Sequence, residues 1–185
     1  MTMDKKTIRN DIKFRRANKS DIACIMDIIK QAQNYLKKQG IDQWQNNYPN
    51  LDTINKDIEK GNAYVLVANE RILGTVAVIF NGEKTYDTIY QGGWLSHGEY
   101  TTIHRLAVDS DYRGAGISSL ILESIERMSL ERGIYSIKVD THRGNIPMQK
   151  FLQNQGFESC GIIYLEDGNE RLAFEKVLGG DLYGH

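Results

Sequence analysis

Proline and cysteine are scarce in this sequence, with 2 of each among 185 residues. Cys24 and Cys160 are too few for a disulfide scaffold and stand at neither CxxC nor zinc-finger spacing, so a reducing compartment and no bound metal are expected. An excess of one charge is missing as well. Lys and Arg number 23 against 24 Asp and Glu, a formal net charge of -1, whereas proteins that coat nucleic acid carry a clear basic excess. No run approaches the roughly 18 apolar residues of a membrane span, and the polar leader Met1 to Asn10 lacks the apolar stretch of a secretory signal. These absences predict a cytoplasmic protein without nucleic-acid or membrane partners; a monomer or homodimer is the expected state.

What is present suffices for a core. Hydrophobic residues make up 41% and charged residues 25%, and the length fits one domain over 1–185. Ile12 to Arg16 alternates like a strand, and Asn18 to Asp21 offers helix-start residues. Ile22, Ile25, Met26, Ile29 and Leu36 mark one helical stripe to about Lys38, ended by Gly40. A shorter helix is predicted over Leu51 to Lys60. Strands are predicted over 64–68 and 72–80 around a tight turn, and over 100–108, giving three consecutive antiparallel strands. A helix over 114–131, a strand over 134–139, a helix capped by Asn145 with Pro147 in its first turn, and a closing hairpin over 157–165 and 171–177 follow. No repeat or linker interrupts them, so the elements share one mixed sheet with helices packed on it.

The richest segment runs from Leu106 to Leu120, where a strand ends, a small-residue turn follows and a helix begins. The first amides of a helix lack partners and carry partial positive charge, and Gly114, Ala115, Gly116 and Ser118 let an anion approach them. A diphosphate is the natural guest. A P-loop requires Lys and Ser or Thr after its last glycine, but Ile117 and Ser118 stand there. A dinucleotide fold wants GxGxxG directly off the strand, whereas Ser119 replaces its third glycine; Asp140, near the end of the next strand, keeps an NAD-dependent oxidoreductase as an alternative. The remaining pattern, R/Q-x-x-G-x-G/A, is matched from Arg113 to Ser118 except for the final Ser.

With Leu106-Ala107-Val108 before that turn, and Asn145, Phe151-Leu152 and Gly156-Phe157 after it, the chain resembles the GCN5-related N-acetyltransferase (GNAT) family. The resemblance implies an α/β (α+β) fold: a twisted mixed sheet of about seven strands, splayed in the middle, with about four helices. It implies that acetyl-CoA is the cosubstrate, that the backbone of Leu106, Ala107 and Val108 binds its pantetheine arm, and that amides of Arg113, Gly114, Ala115, Gly116, Ile117, Ser118 and Ser119 hold its diphosphate, with Asn145 also in contact. The reaction would transfer an acetyl group to the amine of a small molecule or to a peptide N-terminus. A non-catalytic CoA-binding sensor is the other alternative.

Acetyl transfer needs a base for an ammonium of intrinsic pKa about 10.4. His104 stands two residues before Leu106, which in a regular strand puts both side chains on one face; arylalkylamine acetyltransferases resemble the chain in having a His there. Asp140, five residues before Asn145, is the second candidate and corresponds to a Glu of ribosomal N-terminal acetyltransferases. Where many members of the family carry a proton-donating Tyr, this chain has Leu152, which leaves Tyr164 or water for that task. Trp44, Tyr48, Trp94 and Tyr100 supply candidate aromatic walls, including a cation-π surface, for the acceptor. His142 and Arg143 lie on a loop near the Asn145 helix, and His97 and His185 show no pattern.

Overall fold

The structure is a computed structural model that describes residues 11–179; the polar leader to Asn10 and His185 lie outside them. Strands β1 (Ile12–Arg16), β2 (Ala63–Ala68), β3 (Arg71–Ile79), β4 (Thr101–Val108), β5 (Ser136–Thr141), β6 (Glu158–Tyr164) and β7 (Glu170–Val177) form one sheet in the order β1-β2-β3-β4-β5-β7-β6. The sheet is mixed. The pairs β1·β2, β2·β3, β5·β7 and β6·β7 are antiparallel, and β4·β5 is parallel. The four α-helices are α1 (Ile22–Lys38), α2 (Leu51–Glu59), α3 (Ile117–Glu131) and α4 (Ile146–Asn154).

Local chemistry explains most boundaries. Asn18 and Asn50 each accept a backbone N–H at a helix entrance and complete capping boxes with Asp21 and Thr53. Asn145 accepts from the Met148 amide, with Pro147 in the first turn of α4. The β2–β3 turn is two residues long, with Asn69 and Glu70 both left-handed (φ 48 and 63) as the twist of a tight hairpin requires. Two expected boundaries move. The Ile134 amide bonds back to the Ser129 carbonyl at 2.9 Å to close the end of α3, so β5 starts at Ser136 and Asp140 lies inside the strand. At the other end of α3, left-handed Gly114 and Gly116 form a turn that delays the helix to Ile117.

The chain divides into two compact units: residues up to Val78 with Arg105–Ser124, and Ile79–His104 with the residues from Ile125 onward. In the first, Ile25, Ile28, Ile29, Ile54, Val65 and Ala107 make the core. Full burial of such an Ile contributes roughly 1.5–3 kcal/mol each. Ile28, absent from the expected stripe, is buried with Ile25 and Ile29. In the second, Tyr86, Ile163 and Ala173 are buried together, with Trp94 and Tyr100 packed against them.

Gly74 on β3 sets how closely α3 lies on the first unit's strands. A Cβ there would come within 2.8 Å of Ile121 Cδ1, 3.1 Å of the Ala107 carbonyl and 3.3 Å of Ile117 Cγ2. Gly74→Val is therefore expected to lower stability by about 1–3 kcal/mol through overpacking. A urea midpoint equal to that of the wild type would contradict this.

Candidate active site

The strand β4 carries the first part of the site. Its register with β5 pairs only Thr101 with Ile137 and Thr102 with Lys138, so His104, Leu106, Ala107 and Val108 all lie past the last paired position. Arg105 is left-handed (φ 55). A left-handed residue in a strand breaks the two-residue alternation, so the spacing of His104 and Leu106 does not by itself put them on one face. Arg105 turns its guanidinium to Asp57, with both contacts at 2.7 Å, and donates to the Tyr48 hydroxyl at 2.9 Å.

After β4, Asp109 caps a 3-10 turn, Ser110–Tyr112, and Gly114 to Gly116 lead into α3. Two of the amides expected to bind a diphosphate are engaged within this turn: Arg113 N donates to Ser110 O (3.3 Å) and Ala115 N to Tyr112 O (3.0 Å). The Arg113 guanidinium stacks over the Tyr35 ring at 4.3 Å. The opening residues of α3, Ile117 and Ser118, follow a glycine and lack intrahelical acceptors for their N–H groups. Nothing lies within 4 Å of where a Cβ on Gly114 or Gly116 would stand. That open, electropositive helix entrance fits an anionic phosphate group.

The second unit supplies titratable side chains. His104 Nε2 lies 3.1 Å from Glu83 Oε2. Glu83 caps the 3-10 turn Lys84–Tyr86: its Oε1 accepts from the Thr85 N–H and hydroxyl, and its own N–H donates to the Tyr100 hydroxyl at 3.0 Å. The hydrogen bond to His104, outweighing burial, holds the Glu83 carboxyl down at about 2. Tyr86, whose ring is 6.3 Å from that of His104, donates to Asp140 Oδ1 at 2.6 Å. Burial first, and then the Asp140 charge, raise the Tyr86 phenol well above its ordinary value. Glu83, Tyr86 and the Asp140 contact were not anticipated. Glu83 and Tyr86 come from residues 81–99, a segment with neither helical nor strand periodicity that is strapped down by two-way bonds between Tyr90 and Ile162 and by Leu95 N on Glu175 Oε2.

The aromatic candidates separate into different settings. Trp44 packs on the first unit's core and, with Lys30, Gln33, Asn34, Asn46 and Asn50, lines a crevice of about 560 Å³. Tyr48 is half-exposed, its hydroxyl held by Arg105. Trp94 and Tyr100 offer a cation-π surface, but its cation is the chain's own: Lys138 Nζ lies 4.4 Å from the Trp94 ring and 4.1 Å from the Tyr100 ring. Burial lowers the Lys138 pKa, against the pull of Glu175. Asn145 serves as the α4 cap, Arg143 pairs with Glu170, and His142 Nδ1 accepts the Gly144 amide. Leu152 is buried, and Tyr164 meets Tyr90 edge-on with ring centroids 5.3 Å apart.

The model of the acetyltransferase (GNAT) family matches residues 29–157. The chain belongs to the GNAT family. A GNAT-family acetyltransferase from Streptococcus agalactiae is 33% identical, with a TM-score of 0.83 over 91% of this chain and 96% of that one. An uncharacterized N-acetyltransferase of Bacillus subtilis, YesJ, is 25% identical over 165 residues, covering 85% of this chain and 86% of its own. The fold extends to a structure of the NatC complex bound to Gag peptide and CoA, at a TM-score of 0.64 and 15% identity over 91% of this chain and 99% of that one. This GNAT protein is thus an N-acetyltransferase, with the seven strands and four helices of its relatives. The family generally uses acetyl-CoA. Neither an NAD-dependent oxidoreductase nor a non-catalytic sensor gains support. No described helix is long and apolar enough to cross a membrane.

Proposed function

We propose that the chain, as one N-acetyltransferase domain over 1–185, transfers the acetyl group of acetyl-CoA to the amine of a small molecule, acting in the cytoplasm as a monomer or homodimer. The observation that carries the reading is the open entrance of α3 at Gly114–Ser118, directly downstream of a strand whose pairing with β5 ends at Thr102. In this reading Gly116, Ile117 and Ser118 hold the diphosphate by their amides, with Ser119 next to them in the first turn of α3, while Arg113, Gly114 and Ala115 shape the turn before the helix. The backbone of Leu106, Ala107 and Val108 binds the pantetheine arm, and one of its N–H groups faces the thioester oxygen, a donor type that contributes roughly 3 kcal/mol to transition-state stabilisation. The family resemblance gives Asn145, the cap of α4, a contact with the cofactor as well.

Acetyl-CoA supplies an activated acyl group. The protein removes the acceptor's surplus proton, a task given to His104 rather than to Asp140, whose Oδ1 already accepts the Tyr86 hydroxyl. With Leu152 buried and apolar, the thiolate takes its proton from water or Tyr164. Trp44 and Tyr48 in the first unit are the candidate acceptor-binding aromatics, while in the second unit Tyr100 holds the backbone N–H of Glu83, whose carboxylate meets His104. A peptide N-terminus is the second acceptor class, favoured only if the crevice beside Trp44 accepts an extended chain. The test is an amine and peptide panel with acetyl-CoA, monitored by free thiol. Thiol release with a small amine and a raised melting temperature with CoA compounds are expected; NAD raising it instead would overturn the reading.

A further inference from the structure

The geometry points to Glu83 as a positioning residue for His104, fixing its imidazole so that Nδ1 is the atom that takes the acceptor's proton. The inference rests on the acetylation reading above and deepens it.

Glu83 is built into its place at three points. Its Oε1 is held by the Thr85 N–H and hydroxyl, its backbone N–H by Tyr100, and only Oε2 is turned to His104 Nε2. An ionised carboxylate accepts hydrogen bonds and donates none. Glu83 stays ionised far below neutral pH, so the hydrogen on this contact belongs to Nε2. A neutral imidazole with a proton on Nε2 carries its lone pair on Nδ1. Proton removal there creates an imidazolium whose charge lies beside the Glu83 carboxylate, which stabilises it.

The remaining ionisable neighbours leave that role to Glu83. Tyr86, packed against the His104 ring, directs its hydroxyl to Asp140, and the Tyr100 hydroxyl is engaged with the Glu83 backbone. Lys138 sits behind Trp94 and Tyr100. In the transfer, the amine nitrogen forms the C–N bond and the thioester C–S bond breaks. Nδ1 takes the ammonium's first proton before the attack and passes it to solvent. The electron pair of the C–S bond leaves on sulfur, and the second proton of the acylated nitrogen is lost to solvent, which supplies the one the thiolate takes up.

Two measurements test this. Nitrogen NMR of histidine-labelled wild-type protein at alkaline pH, with His104 assigned by its loss in His104→Gln, should show the proton on Nε2; a proton on Nδ1 overturns the proposal even if Glu83→Gln does not fold. Glu83→Gln keeps a hydrogen-bond acceptor but loses the charge, so the imidazolium is destabilised. The acid limb of the kcat/KM profile should move to lower pH, its plateau should fall about tenfold, and the affinity for acetyl-CoA should stay unchanged. A merely structural Glu83 would move neither limb nor plateau, and an active Glu83→Gln with the wild-type profile overturns the role of Glu83 alone. A wild type that acetylates nothing in the panel overturns the acetylation reading, and the role of Glu83 with it.

Discussion

His104→Ala slows acetyl transfer at neutral pH by about a hundredfold or more, the usual contribution of a positioned base. The loss appears in the rate at saturating acetyl-CoA and not in cofactor affinity, because the proposed cofactor contacts are backbone groups elsewhere on β4 and at α3. It also narrows as the assay pH rises. An amine with pKa about 10.4 loses its own proton tenfold more often per pH unit below that value, so the variant gains rate where the wild type has levelled off. Asp140→Asn has a smaller effect, since that carboxylate faces the Tyr86 hydroxyl. The measurement is thiol release from pH 6 to about 10. A His104→Ala rate equal to the wild type's at neutral pH removes His104 from the mechanism.

Asp57→Ala destabilises the protein by about 3–5 kcal/mol, the cost of leaving one half of a buried ion pair. Arg105 and Asp57 have side chains only 12% and 10% exposed, and the fork between them is bidentate, which is the strong form of this contact. Arg105 is also left-handed, a conformation that costs on the order of 1–3 kcal/mol and persists only where its surroundings hold it. Without Asp57, a desolvated guanidinium and a strained peptide remain, held by the Tyr48 hydroxyl alone. Tyr48→Phe removes one hydrogen bond and costs about 0.5–1.5 kcal/mol. Because Arg105 follows His104 directly, Asp57→Ala should lower turnover as well. Denaturation of the three proteins in urea reads the order; an Asp57→Ala midpoint no lower than that of Tyr48→Phe contradicts the pinning of β4 by this pair.

The parts of the fold legible in the sequence are those whose causes lie within a few residues. Asn18 and Asn145 cap the helices they precede because the accepting side chain and the orphan amides are two or three residues apart. The shift of β5 to Ser136 was hidden because it depends on how α3 ends, through Ile134 N on Ser129 O. His104 and Asp140 stood out as titratable groups at informative positions, but their partners did not. Glu83 is 21 residues from His104 and Tyr86 is 54 from Asp140, and both partners come from a segment without periodicity. Trp94 and Tyr100 were readable as a cation-binding surface, yet nothing local announces that Lys138 fills it.

From the residues alone came the order of strands and helices, the glycine turn before α3 and the family likeness, since these follow from periodicity, capping and steric freedom along a short stretch of backbone. Tertiary structure alone decided which nitrogen of His104 faces a carboxylate, that β4 kinks at Arg105, and that the amides of Arg113 and Ala115 are spent inside their own turn. Those outcomes depend on polar groups brought together from distant segments and shielded from water, where each must find a partner, and a linear pattern does not encode who that partner is.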